Sequence, residues 1–256
     1  MSQLLYEVRG RTAQVTFNRP EARNAMTMEM YEGLAEACER IDGDGEVKAA
    51  VFRGAGGKAF VAGTDIAEFR DFSTAAQGQA YERRIEAVMD RLERVRVPTI
   101  AAVQGYAVGG GLGLAASCDV RVCTPGARFG LPIARTLGNC VSMRTYARLA
   151  SLVGSGRALN LILTAGFLGG TDALAAGLVT EVIADEEFDG RLAELCAQLA
   201  SHAPLTMEVS KQAFRRLRDA ALPEGEDLIA TCYGSEDFRE GVRAFLAKRP
   251  PRWSGR

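Results

Sequence analysis

The residues best placed to do chemistry in this chain are glycines. From residue 105 to 117 the sequence reads GYAVGGGLGLAAS, with five glycines at 105, 109, 110, 111 and 113, and no charge appears between Pro98 and Asp119. Such a run has three readings: a phosphate loop, a membrane turn, or a backbone shaped to hold some other group. Gly111, Gly113 and Ala116 satisfy the loose dinucleotide pattern GxGxxA. That pattern also needs an acid about 20 residues on to hold a ribose. Residues 120–171 contain no Asp or Glu at all, so a nicotinamide cofactor is not expected. The 20 charge-free residues from Thr99 to Cys118 formally match a membrane span in length. Their five glycines, Gln104 and scarce large aliphatics argue instead for a buried strand, a glycine turn and a buried helix.

Other constellations are weak. The lone His202 closes a helix just before Pro204, which leaves no Ser-His-Asp arrangement. Six cysteines (38, 118, 123, 140, 196, 232) form no CxxC pair and no His/Cys cluster has metal spacing. They read as buried free thiols in a reducing compartment. The N-terminal MSQLLYEVRG has no apolar signal core, so the expected location is cytoplasmic. A net charge of −1 gives no footprint for nucleic acid, and no membrane partner is expected either.

The elements that must position the glycines follow from periodicity. AQVTFN (13–18), VKAAVFRG (47–54), TIAAVQG (99–105) and DVRVCT (119–124) read as strands. Residues 26–41 form a helix with Met26, Met30, Leu34, Ala37 and Ile41 on one face and Thr27 as its N-cap. Residues 81–95 form another, with Ile85, Val88, Met89, Leu92 and Val95 in a stripe. From Ser142 onward helices dominate, with Gly177 as a helix cap and Pro204 between two amphipathic runs. A strand-rich first part followed by a helical tail predicts an α/β core with a helical C-terminal region.

Two segments together resemble the crotonase superfamily, the enoyl-CoA hydratase/isomerase family: KAFVAGTDIAEF (58–69) and VQGYAVGGGLGLAASCDVRV (103–122). FNRPEARNAM (17–26), FGLP (129–132), LTAGFLGGTDALAAGLVTEVI (163–183) and SEDFREGVRAFLAKRPPRWSG (235–255) are similar to further family motifs in the same order. The resemblance implies a spiral of β-β-α turns over residues 1–195 and a helical trimerisation region over 196–256, as a homotrimer or hexamer. It implies an acyl-CoA thioester as substrate, with coenzyme A as part of it and no separate cofactor. It also implies an enolate held by two backbone N–H groups, those of Thr64 and Gly110, the second at a helix start where unsatisfied N–H groups favour negative charge. Arg23, Ala62 and Lys248 are the implied coenzyme A contacts, Lys248 for the nucleotide phosphate of its own or a neighbouring subunit.

The resemblance also exposes a gap. Family hydratases use two glutamates, and the matching positions here are Gly113 and Ile133 or Ala134. Family isomerases keep the second, which is absent too. Candidates to fill the gap are Glu68 or Asp71, and Asn139, Cys140 and Ser142; Asp65 reads as a helix-terminal charge. The reaction is therefore expected to be enoyl-CoA chemistry or a variant of it. The variants are isomerisation with a base from elsewhere, thioester hydrolysis, decarboxylation with one of the arginines 121, 128, 135, 144, 148 or 157 holding a carboxylate, or acyl-CoA binding without turnover.

Overall fold

The computed structural model describes residues 2–256. An antiparallel hairpin, β1 (Leu4–Arg9) and β2 (Thr12–Phe17), leads through a tight turn into helix α1 (Met28–Gly43), which Thr27 caps by accepting from the Met30 N–H at 3.3 Å. A repeating pattern of strand, strand and helix then begins. The first turn is β3 (Ala49–Gly54), β4 (Ala59–Val61) and α2 (Ala75–Glu93). The second is β5 (Thr99–Val103), β6 (Tyr106–Val108) and α3 (Gly110–Ser117). The third is β7 (Val120–Cys123), β8 (Arg128–Gly130) and α4 (Ile133–Thr136).

The first strand of each turn joins one sheet and the second strand joins another. The larger sheet has the order β1-β2-β3-β5-β7-β10, with β10 formed by Glu181–Val182, and is parallel from β2 onward. The smaller has the order β4-β6-β8-β9, with β9 formed by Phe167–Gly169, and is parallel over its first three strands. Parallel strands covered on both faces are apolar throughout, and TIAAV of β5 is buried at every position. The chain thus winds as the expected spiral.

Helices α5 (Met143–Val153) and α6 (Ser155–Leu163), strand β9 (Phe167–Gly169), α7 (Gly170–Ala175) and β10 (Glu181–Val182) complete the core. Gly177 sits at φ 78° where the chain leaves α7, the backbone expected of a glycine cap. Helix α8 (Phe188–Ala200) packs Phe188, Leu192 and Cys196 on Val51, Ile100 and Val122 of the large sheet. A division at residue 195 therefore passes through a helix of the core. Three helices follow: α9 (Pro204–Asp219), α10 (Glu226–Tyr233) and α11 (Glu236–Leu246). Pro204 is the first residue of α9, where its missing N–H costs nothing.

Two packing features place the site. Helix α2 begins at Ala75, earlier than its apolar stripe suggests, because Thr74 and Gln77 form a capping box. Its Glu86 and Glu93 both bind the fully buried Arg148 guanidinium of α5, Glu93 at 2.9 Å. Breaking one side of such a pair would strand a buried charge, so α2 and α5 are held in one register. At the other end, Phe69, Phe72, Tyr81, Tyr233 and Phe238 form an aromatic cluster, with Phe69–Tyr81 centroids 4.8 Å apart and Tyr233–Phe238 4.7 Å. The cluster draws α10 and α11 back over α2. No helix among the described residues is long and apolar enough to cross a membrane.

Candidate active site

A cavity of about 450 Å³ opens between α2, α3, the turn after β4 and the end of α11. Its wall includes Thr64, Gly110 and Gly113, with Phe69, Ile85, Met89, Leu131, Ile133 and Val141 giving an apolar lining. The glycine triplet has three separate jobs. Gly109 has φ 56° and ψ −123°, a backbone that residues with a Cβ rarely adopt, and it turns the chain from β6 into α3. Gly110 opens the helix. A Cβ on Gly111 would lie 2.0 Å from the Val61 carbonyl oxygen, so only glycine lets α3 rest on β4.

Opposite, Gly63 at φ 105° turns the chain after β4. Met26 donates to the Gly63 carbonyl at 2.8 Å and Asp65 donates to the Met26 carbonyl at 2.8 Å, which ties Thr64 to the segment before α1. Neither the Thr64 N–H nor the Gly110 N–H donates to any acceptor among the described residues. A Cβ built on Gly110 would be only 3.8 Å from the Thr64 nitrogen, and both residues line the cavity, so the two groups border one small space. Two unpaired donors, one of them at the start of α3, can hold an oxygen that carries negative charge. The Thr64 hydroxyl adds rigidity. Its Oγ1 lies 2.9 Å from Tyr31 Oη and 2.6 Å from Tyr81 Oη, a chain of three hydroxyls under the donors. Burial pushes the Tyr31 phenol up to about 12 and raises Tyr81 well above its ordinary value, so both stay neutral.

Of the other expected residues, Arg23 and Ala62 reach the cavity and Lys248 does not line it. Arg23 lies exposed at the mouth, its guanidinium 5.8 Å from the Tyr106 ring. Its loop is fixed by the buried Asn24, whose Oδ1 accepts from the Arg19 N–H at 2.9 Å and whose Nδ2 donates to the Ala55 and Ala59 carbonyls. Phe245, at the end of α11, also borders the cavity, and exposed Lys248 follows three residues on.

The acid and base candidates divide. Asn139 lines the cavity and donates to Tyr233 Oη at 3.2 Å, while its buried Oδ1 has no partner. Glu68 points away: its carboxylate accepts from the Met28 N–H at 3.3 Å, at the start of α1. Neither Asp71 nor Cys140 is part of the wall. The Cys140 thiol donates to the Leu228 carbonyl at 3.7 Å, away from the cavity wall, and contact with Cys232 together with burial pushes it up. Ser142 caps α5 and donates to Glu86 at 2.6 Å. Asp65 caps the turn Ile66–Phe69 and pairs with Arg19 at 3.0 Å, the helix-terminal charge it was read as.

None of the six arginines of residues 120–171 lines the cavity. Arg121 is spent on the Leu178 and Cys118 carbonyls, Arg144 on Asp219, and Arg148 on Glu86 and Glu93. The expectation that one of them holds a substrate carboxylate has no support in this geometry.

A carboxyl group is nevertheless present. Glu82 of α2 lines the cavity, is only 7% exposed, and accepts from Tyr233 Oη at 2.6 Å. Burial raises it from 4.5 to about 7, against the lowering effect of Tyr233; Glu86 raises it further and the Ser142 backbone lowers it. The sequence held a signal for it. Glu82 lies three residues before Ile85 and seven before Met89, so it sits in the buried stripe of its helix.

Paired N–H donors over a cavity, carried on a strand–strand–helix spiral, are crotonase architecture. Comparison with known proteins agrees. The family model described as enoyl-CoA hydratase/isomerase matches residues 7–256. A short-chain-enoyl-CoA hydratase of Clostridium acetobutylicum is 36% identical over 97% of this chain and 96% of its own length. The crystal structure of an enoyl-CoA hydratase/carnithine racemase from Magnetospirillum magneticum superposes with a TM-score of 0.82 at 34% identity, covering 100% of this chain and 97% of that one. A methylmalonyl-CoA decarboxylase structure reaches a TM-score of 0.91 over 100% of this chain and 99% of its own, at 24% identity, a likeness of fold alone. The chain belongs to the enoyl-CoA hydratase/isomerase family.

Proposed function

We propose that the protein is an acyl-CoA enzyme that binds the thioester carbonyl between the Thr64 and Gly110 N–H groups and stabilises the enolate formed from it. The observation that carries this reading is the pair of unpartnered donors facing one space on the cavity wall. Such donors act on charge that develops in the transition state, where a dry, preorganised site gives them most of their effect. The reaction that fits is proton transfer along an enoyl-CoA, with isomerisation or hydration of the double bond as its outcome. Arg23 and Ala62 at the mouth, with Lys248 beyond Phe245, would meet the coenzyme A portion. The acyl group would be uncharged and aliphatic, because the inner wall is apolar and its one cation, Arg23, is at the mouth. Decarboxylation is disfavoured for the same reason. Thioester hydrolysis would need a nucleophile that buried Cys140 does not provide.

The test is incubation with 2-enoyl-, 3-enoyl- and malonyl-type CoA esters side by side, and with saturated butyryl-CoA in D2O. Enoyl interconversion or hydration, with deuterium entering butyryl-CoA at the α-carbon, is the expected result. Tight binding with neither would make the protein a non-catalytic acyl-CoA binder and refute the reading.

Assembly as a homotrimer or hexamer fits the exposed apolar residues of α9, a 16-residue helix with no buried side chain that shows Leu205, Val209, Phe214 and Leu217 to solvent. Sedimentation equilibrium is expected to give three or six chains per particle. A monomer at micromolar concentration would refute the assembly.

A further inference from the structure

Glu82 is an expensive residue whose side-chain partner is a neutral phenol, Tyr233, rather than a cation. Among the described residues it forms no ion pair, although it is buried. An unpaired buried carboxyl costs stability unless it stays protonated or serves a purpose. The groups facing it come from several elements. Tyr31 of α1, Tyr81 of α2, Tyr146 of α5, Tyr233 of α10 and the thiol of Cys140 are held neutral, and beyond them the Cys232 thiol, in contact with Cys140, is lowered to about 7. The one charged neighbour is Glu86, and Arg148 and Arg144 bind that carboxylate from the other side.

Position is the second observation. Glu82 shares the cavity with both free N–H groups. The residue before it, Tyr81, bonds the Thr64 hydroxyl, so one turn of α2 both braces a residue that carries a donor and lines the same cavity with Glu82. Tyr233 Oη donates to the carboxyl and itself accepts from Asn139, which leaves the Asn139 Oδ1 free within the same cavity. A carboxyl so held has a fixed direction and no competing cation.

We propose that Glu82 is the acid–base group of this site, filling the task left open by Gly113 and Ile133, with Tyr233 and Asn139 as its positioning residues. The assignment rests on the enolate reading given above. The Glu82 carboxylate takes the proton from the α-carbon of the acyl thioester. The C–H pair becomes the C=C bond of the enolate, and the carbonyl π pair moves onto the oxygen held by Thr64 and Gly110. The new carboxylic acid then returns its proton. Delivery to the α-carbon gives exchange, and delivery to the γ-carbon of a 3-enoyl substrate gives the conjugated isomer. No further reactant is consumed. A value near 7 suits a group that must both take and give a proton at neutral pH.

The experiment measures deuterium uptake from D2O into butyryl-CoA, with binding followed by calorimetry. Glu82→Gln is expected to bind butyryl-CoA within threefold of wild type and to lose exchange by about 10²–10⁴-fold. Wild-type exchange should rise with pH and reach half its plateau near 7, because the base form is the active one. Tyr233→Phe removes a bond that favours the carboxylate, so its half-point should move upward. Exchange in Glu82→Gln within threefold of wild type, or an unmoved half-point in Tyr233→Phe, overturns the assignment while leaving the oxyanion reading intact. Absence of exchange in the wild-type protein itself overturns the enolate reading, and this assignment with it.

Discussion

Gly110→Ala is expected to lower kcat/KM by about 10²–10³-fold, roughly 2.7–4 kcal/mol of transition-state stabilisation. The new Cβ would lie 2.7 Å from Tyr31 Oη and 3.4 Å from Thr64 Oγ1. Tyr31 is fully buried and bonded to Thr64, so it cannot swing away. Either the first turn of α3 shifts and carries the Gly110 N–H off its line, or the hydroxyl chain under Thr64 breaks. In both cases one donor no longer meets the oxygen. Overpacking of this kind also costs about 1–3 kcal/mol of stability, which chemical unfolding would register. Adding Tyr31→Phe removes the colliding oxygen and is expected to restore most of the stability. Turnover should stay low, because the Cβ still stands beside the space the oxygen must fill, 3.8 Å from the Thr64 nitrogen. Retention of turnover within fivefold in Gly110→Ala would mean that the oxygen is held elsewhere.

That experiment probes the part of the site that was most legible in the sequence. Gly109 and Gly111 are dictated by backbone conformation and close contact, demands no other residue meets, so they mark their own geometry. The long strands were legible too, because unbroken apolar runs such as TIAAV are the mark of a covered parallel sheet. The short strands β4, β6, β8 and β9 were not, since three residues are too few to show alternation.

The missing acid escaped for a different reason. Spacing from known motifs directs attention to residues near Gly113 and after FGLP, where every position is neutral or basic. Glu82 belongs to an earlier turn of the spiral, in YERRIEAVMDRLERV, where it looks like one charge among many. Glu86 and Glu93 on the same helix are structural partners of Arg148, and Asp90 of Arg94. Only the contacts distinguish Glu82 from them: it faces a cavity and a tyrosine rather than a guanidinium. Glu68, Cys140 and Ser142 failed in the opposite sense. They are close to the site along the chain, but Glu68 and Ser142 serve helix starts and the Cys140 thiol faces a backbone carbonyl.

The same isolation should make Glu82 a liability to stability in alkaline solution. The folded protein raises this carboxyl from 4.5 to about 7, chiefly by burial. Between those values the folded state binds more protons than the unfolded state, so stability falls as pH rises through the window and the full penalty is present above it. A rise of this size corresponds to on the order of 3 kcal/mol at pH 8.5 and less than about 1 kcal/mol at pH 5. Glu82→Gln keeps an acceptor for Tyr233 Oη at nearly the same place and carries no charge. The variant is therefore expected to resist denaturant better than wild type at pH 8.5, by roughly 2–3 kcal/mol, and to match it closely at pH 5. Taking the difference between the two proteins at each pH cancels the titrating groups that do not interact with Glu82. An advantage that does not depend on pH would mean that the carboxyl is not held in its acid form by the fold. A pH-dependent advantage coupled to lost exchange would show that the fold bears a stability cost at the residue its chemistry uses.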